Sequence, residues 1–234
     1  MIPLRDENPS GSAPVVTRVL IALNCLAFLF ELARGSELQS FVFAWGFVPD
    51  RLTLALHGGS EPVAWPALTL VTSTFLHGGW LHLLGNMWYL WIFGDNVEDR
   101  LGRARYVIFY LVAGIAAGWV HFLVNPVSRA PTVGASGAIA AVLGAYAVTF
   151  PKARVITLLP LIFYFQIVAL PALLMLGLWF VFQFFSGALT LAAGPGGGSG
   201  GVAWWAHIGG FAFGAVAMKV LARRRRKSRA WAQD

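Results

Sequence analysis

Six runs of predominantly apolar residues, at about 15–32, 81–97, 105–124, 136–150, 171–191 and 204–221, constrain this chain more than anything else in it. A helix needs about 20 apolar residues to cross a hydrocarbon core roughly 30 Å thick. Inside lipid every backbone N–H and C=O must find a partner without water, which makes helices of such runs. The 234 residues are 58% hydrophobic and 12% charged, against roughly 25% charged in soluble domains. The expected fold class is therefore an all-α membrane protein, a six-transmembrane-helix bundle. The first run lacks a convincing small-residue cleavage site and reads as a retained span rather than a signal peptide. Cys25 is the single cysteine, which excludes an intramolecular disulfide and a thiol cluster around a metal.

The formal charge of +7 points to nucleic acid only until the basic residues are placed along the chain. Six spans put both termini on one side, together with Arg5, Arg18, Arg100, Arg103, Arg105, Lys152, Arg154, Lys219 and the six basic residues of "RRRRKSR" at 223–229. The other side keeps Arg34, Arg51 and Arg129, a split of 14 to 3. By the positive-inside rule the basic side is cytoplasmic, in the cell's inner membrane, and the terminal run reads as a topology determinant touching anionic lipid. No nucleic-acid partner is expected.

The spans divide the chain into a short cytoplasmic N-terminus (1–14), a six-span domain (15–221) and a basic cytoplasmic tail (222–234). The outer segment 33–80 is rich in aromatics, proline and threonine and is expected to lie at the interface. The cytoplasmic stretch 151–170, interrupted by Pro160, reads as interfacial or re-entrant, because counting it as a span would spoil the charge asymmetry. Residues 192–203, with "GPGGGSGG", read as a flexible connection. No internal repeat is visible.

Polar side chains inside a membrane are costly and are usually paired or functional. His77, His82 and Asn86 in "LHGGWLHLLGNMW", Ser136 in "GASG" and His207 in "WAHIGGFAFG" each fall near the start of the second, fourth or sixth span. All three of those spans begin on the outer side, so the polar groups share a depth. His82 and Asn86 stand four apart and share a helix face. Ser136, Ala140 and Gly144 make one small-residue stripe; His207, Gly210 and Gly214 make another. Such stripes let backbones approach closely. Packing them as parallel neighbours brings Ser136 and His207 together at the top of the contact. The fourth span, at about 1.5 Å per residue, reaches only about 22 Å, so its serine end can lie below the outer surface.

Serine becomes a useful nucleophile when a base accepts its proton, and histidine titrates in the right range to do so. Asn86, the His82 ring and the Ser136 N–H at a helix start are candidate oxyanion donors. Taken alone, "GASG" is more commonly packing; it is the joint placement that favours chemistry. His77 reads as support for the outer loop, His121 as packing, and His57 has no partner. Other chemistries fit worse. There is no H-E-x-x-H, Asp95 and Asp99 lie at the cytoplasmic end of the second span, and Ala138 breaks the G-x-S-x-G pattern. Two further classes remain: a non-catalytic factor that binds spans of client proteins and, more distantly, a transporter, for which neither paired carboxylates nor a repeat is seen.

With these residues in view, the chain resembles the rhomboid intramembrane serine proteases in their compact six-span bacterial-type form. The likeness runs from about 65 to 221 and rests on His77, His82 and Asn86 as H-x4-H-x3-N, on "VEDRLG" at 97–102, on "GASG" around Ser136 and on "AHIGGFAFG" from Ala206. It implies a rhomboid-like bundle with Ser136 as nucleophile and His207 as general base. It implies His82, Asn86 and the Ser136 N–H as oxyanion hole, with His77, Gly134, Gly210 and Gly214 supporting. The implied substrate is itself a transmembrane helix, cut near the outer face, commonly after a small residue. Neither a cofactor nor a metal is implied. Two positions depart from the family's pattern: Trp65–Pro66 stands where members often have Trp-Arg, and Ala140 stands where many carry an aromatic beneath the histidine. Support for His207 is then expected from the close helix approach that Ala140 permits. The fifth span, with Trp179, Phe180, Phe182 and Phe184, reads either as a substrate gate or as a lipid-facing surface.

Overall fold

The computed structural model describes residues 1–161, 164–192 and 202–221. It is mostly helical. The six apolar runs correspond to α1 (Val15–Leu32), α5 (Trp80–Leu101), α6 (Arg103–Val124), α7 (Ser136–Thr149), α8 (Ala172–Ala192) and α9 (Trp204–Leu221). Among the described residues, α1, α6 and α8 are long and apolar enough by themselves to cross a membrane, and α7 is apolar but only 14 residues long. The segment 33–80 folds into three short helices, α2 (Leu38–Trp45), α3 (Pro49–Leu56) and α4 (Ala64–Thr72).

α7 lies at the centre, and all eleven residues from Gly137 to Ala147 are buried. This explains its composition: a helix enclosed on every face can be apolar all round and needs small residues where neighbours come close. Around it pack α5, α6, α8 and α9, with Tyr106, Tyr110, Tyr146, Phe93 and Phe109 filling the widest gaps. Between α5 and α6 the chain turns on Gly102, at φ +80°, a conformation open to glycine. The start of α1 is tied to α5 by Glu98, 1% exposed, whose carboxylate accepts from Val16 N–H (3.0 Å), Thr17 N–H (2.8 Å) and Thr17 Oγ1 (2.8 Å). Those N–H groups belong to the first turn of α1 and have no partner within the helix.

The all-α expectation is corrected at residues 2–6 and 154–171. The stretch 151–170 forms an antiparallel hairpin of β2 (Arg154–Leu161) and β3 (Tyr164–Pro171), and β1 (Ile2–Asp6) adds to it in the order β1-β2-β3. Val155, Ile156, Thr157, Ile167 and Val168 are β-branched and favour strands, and Pro160 disfavours a helix. Pro160 is tolerated in the middle strand because it lies beyond the last β1 pairing, Ile2 with Leu158. Asp6, at the end of β1, accepts from Tyr146 Oη (2.5 Å) on α7 and from Asn96 Nδ2 (3.1 Å) on α5, pinning the sheet to the bundle. Burial raises the Asp6 carboxyl to about 6; Tyr146 opposes the shift and Asp95 adds to it. Most of the connection at 192–203 and the whole tail at 222–234 lie outside the described residues.

Candidate active site

α7 and α9 touch backbone to backbone. A Cβ added to Gly210 would lie 2.1 Å from the Gly137 carbonyl oxygen, one on Gly214 1.9 Å from that of Ala141, and one on Gly144 2.1 Å from that of Phe211. Steps of four along α7 match steps of four along α9, so the helices run parallel. At the head of this contact Ser136 Oγ and His207 Nε2 are 2.7 Å apart. The stripe on α7 is broader than Ser136, Ala140 and Gly144: Gly137 and Ala141 present the carbonyls that Gly210 and Gly214 admit.

The other nitrogen of His207 is held from a direction the sequence reading did not anticipate. Nδ1 lies 2.7 Å from Oε1 of Gln183 on α8. Trp179, one turn earlier on the same face, packs over the imidazole at 6.0 Å between ring centroids and 32° between planes. Trp204 meets the ring edge-on at 6.3 Å. The close helix approach at Ala140 is present, since a Cβ on Gly210 would lie 3.3 Å from the Ala140 Cβ, and α8 and Trp204 add contacts to the ring that the sequence reading lacked. A signal was present, since Gln183 is the only amide in the fifth apolar run and stands four residues after Trp179.

Opposite the serine, His82 and Asn86 project from α5 into the same cavity, which measures about 560 Å³ and is also lined by Trp179, Gln183 and His207. Gly78 N–H donates to His82 Nδ1 at 3.3 Å, which leaves the proton on Nε2. Asn86 is buried, and its Nδ2 has no partner among the described residues. The Ser136 N–H opens α7 and has no acceptor within that helix. Gly134 makes the close approach possible: its φ is +130°, and a Cβ there would fall 2.7 Å from the His82 ring. Three donors thus share one cavity with a hydroxyl already hydrogen-bonded to an imidazole, an arrangement able to deprotonate an attacking oxygen and to receive developing negative charge.

His77 lies outside this cavity lining and precedes α5 rather than belonging to it. Its N–H donates to both carboxylate oxygens of Glu31 (3.1 and 3.2 Å), and its ring meets that of His82 edge-on at 5.3 Å between centroids. Burial, with His82 adding to it, pushes its imidazole down to about 4, so it is neutral near pH 7. His121, on α6, leaves Nδ1 without a partner among the described residues. His57 ends α3 and contacts the Thr53 carbonyl at 2.8 Å, away from the cavity. Among the described residues, no group of three or more His, Cys, Asp or Glu is placed to hold a metal.

The family model for the rhomboid domain matches residues 64–224, more than half of the chain. The chain belongs to the rhomboid family. It is 33% identical over 153 residues to presenilin-associated rhomboid-like protein A, mitochondrial, of Danio rerio, covering 63% of this chain and 36% of that one. It is 35% identical over 133 residues to rhomboid protease GluP of Bacillus subtilis (strain 168), covering 56% and 24%. Rhomboid-like protein 11, chloroplastic, of Arabidopsis thaliana is 45% identical over 69 residues, 30% of this chain and 24% of that protein. The matches thus span only a quarter to about a third of those relatives' lengths. This rhomboid is a multi-pass membrane protein. The segment 33–80, which contains Trp65–Pro66, is fastened by Trp45 against Trp65 at 5.1 Å, the Arg51–Glu61 ion pair, and a bridge between Phe47 and Thr132.

Proposed function

We propose that this rhomboid is an intramembrane serine endopeptidase that cuts transmembrane segments of membrane proteins near the outer face, using Ser136 and His207. The observation that carries the reading is the 2.7 Å contact between Ser136 Oγ and His207 Nε2, in a cavity also lined by His82 and by Asn86, whose Nδ2 has no partner among the described residues. Ser136 Oγ attacks the scissile carbonyl while His207 Nε2 takes its proton. The Ser136 N–H, the His82 Nε2–H and the Asn86 amide stabilise the oxyanion. Collapse breaks the peptide C–N bond as His207 returns the proton to the leaving amine. Water then hydrolyses the acyl-enzyme by the same steps. Six spans, both termini in the cytoplasm of an inner-membrane protein, a catalytic domain at 15–221 flanked by 1–14 and a lipid-contacting tail at 222–234, complete the proposal. The 14 to 3 distribution of basic residues supports the orientation.

The test is cleavage of a single-span reporter by the purified protein in liposomes. Ser136→Ala and His207→Ala are each expected to lower the rate by about 10⁴-fold or more while remaining folded. A rate near wild type in either variant contradicts the assignment.

A further inference from the structure

Catalysis by the dyad requires more than proximity. Neutral imidazole has two tautomers, and only the one protonated on Nδ1 leaves a lone pair on Nε2 to accept the Ser136 proton. In a site this enclosed, the partner at Nδ1 decides between them. Here that partner is Gln183 Oε1 at 2.7 Å, on a side chain only 5% exposed. A carbonyl oxygen can only accept, so this orientation demands Nδ1–H. With the amide rotated, its nitrogen would donate to Nδ1, the ring proton would move to Nε2, and the serine would face a donor instead of a base.

We propose, resting on the protease reading above, that Gln183 is a positioning residue: its amide oxygen accepts Nδ1–H of His207 and holds the tautomer whose Nε2 can take the Ser136 proton. An amide in this place differs from a carboxylate in one respect that matters. It selects the tautomer and the ring orientation without adding a charge that favours the imidazolium, so the base is neutral and aligned before substrate arrives. Trp179, on the same face of α8, lies next to the ring at 6.0 Å between centroids. Because Gln183 and Trp179 both belong to α8, the positioning lasts only while α8 is docked on α9, and a displacement of about 1 Å takes the Nδ1 contact past hydrogen-bonding range. The outward face of α8 carries Leu174, Leu178, Val181 and Phe185 in exposed positions, so its hold on the bundle runs through the stripe Met175, Trp179, Gln183 and Gly187.

The test uses the full chain with ¹⁵N-labelled histidine in detergent micelles, alongside reporter cleavage in liposomes. In the wild type at neutral pH, the His207 signals are expected to show a protonated Nδ1 and an unprotonated Nε2. Gln183→Met keeps the volume and removes the acceptor; it should lose that tautomer preference and lower kcat about 10- to 100-fold with KM unchanged. Gln183→Glu keeps an acceptor; it should retain more activity than Gln183→Met, with the acid limb of its kcat–pH profile moved up by about one pH unit or more, because a carboxylate favours the imidazolium. The titratable groups facing His207 are His82 on α5 and His121 on α6, and their signals are followed in the same spectra. A wild-type His207 protonated on Nε2, or a Gln183→Met variant with unchanged tautomer and kcat, overturns the proposal. Ser136→Ala, run in the same cleavage assay, tests the protease reading separately, since the spectrum decides the tautomer whether or not the protein cuts.

Discussion

The α7–α9 contact makes a quantitative demand at Gly214, about two turns beyond His207 on α9 and remote from the reacting atoms. In Gly214→Ala the new Cβ would stand 1.9 Å from the Ala141 carbonyl oxygen, where ordinary contact begins at 3.4 Å, so the helices must separate locally by about 1.5 Å. The obstacle is backbone on both sides, which cannot swing away as a flexible side chain can. Carried rigidly up α9, that shift takes the 2.7 Å Ser136–His207 contact to as much as about 4 Å, beyond hydrogen bonding. Misplacement of about 1 Å can cost roughly 100-fold in rate, and overpacking of this kind costs about 1–3 kcal/mol of stability. Gly214→Ala should therefore cleave a liposome reporter about 100-fold more slowly while still unfolding cooperatively at a lowered temperature. Gly177→Ala is the matched control: its Cβ would meet nothing within 4 Å, and its rate should be unchanged. A Gly214→Ala protein with wild-type kcat would refute the argument that backbone contact between these helices holds the two side chains in register.

Other consequences can be checked one at a time. In the proposed mechanism Asn86→Ala removes an oxyanion donor, and it should lower kcat by about 100- to 1,000-fold with little change in KM, as measured on the same reporter. Glu98→Ala strips the acceptor from two N–H groups and a hydroxyl at the start of α1; leaving buried donors unpaired should cost about 1–3 kcal/mol, seen as a lower unfolding temperature in micelles. Asp6 gives a pH dependence with a definite sign. Its folded-state carboxyl is raised to about 6 from 3.8, so the folded chain binds more protons than the unfolded one between those values. Its contribution is most favourable below pH 3.8 and is lost as pH rises through 6. The unfolding temperature of the wild type relative to Asp6→Asn should fall between pH 4 and 6.5; a difference independent of pH would count against the half-buried position of Asp6.

The helices were readable because the apolar runs obey a constraint with one solution, and their observed ends differ from the expected ones by only a few residues. The meeting of Ser136 with His207 was readable for a related reason: glycines at the spacing of one helix turn admit backbone, and the parallel sense followed from counting runs. The hairpin at 154–171 was not. An apolar stretch broken by proline fits several structures, and strand pairing with residues 2–6 is a contact between distant parts of the chain that no local pattern reveals. Gln183 was passed over because its partner lies on another helix, although an amide inside an apolar run called for one. His77 precedes α5, which begins at Trp80, so its contact with His82 comes from the turn before the helix, which helical spacing does not reveal.

The central claim, that Ser136 is a nucleophile activated by His207, is tested most directly by reaction of the folded, micelle-solubilised protein with a serine-reactive fluorophosphonate, followed by mass spectrometric mapping of the adduct. The account predicts a single adduct on the Ser136 peptide, none in Ser136→Ala, and strongly slowed labelling in His207→Ala. A folded wild-type protein that takes up no label, or a Ser136→Ala variant labelled as fast as wild type, would contradict it.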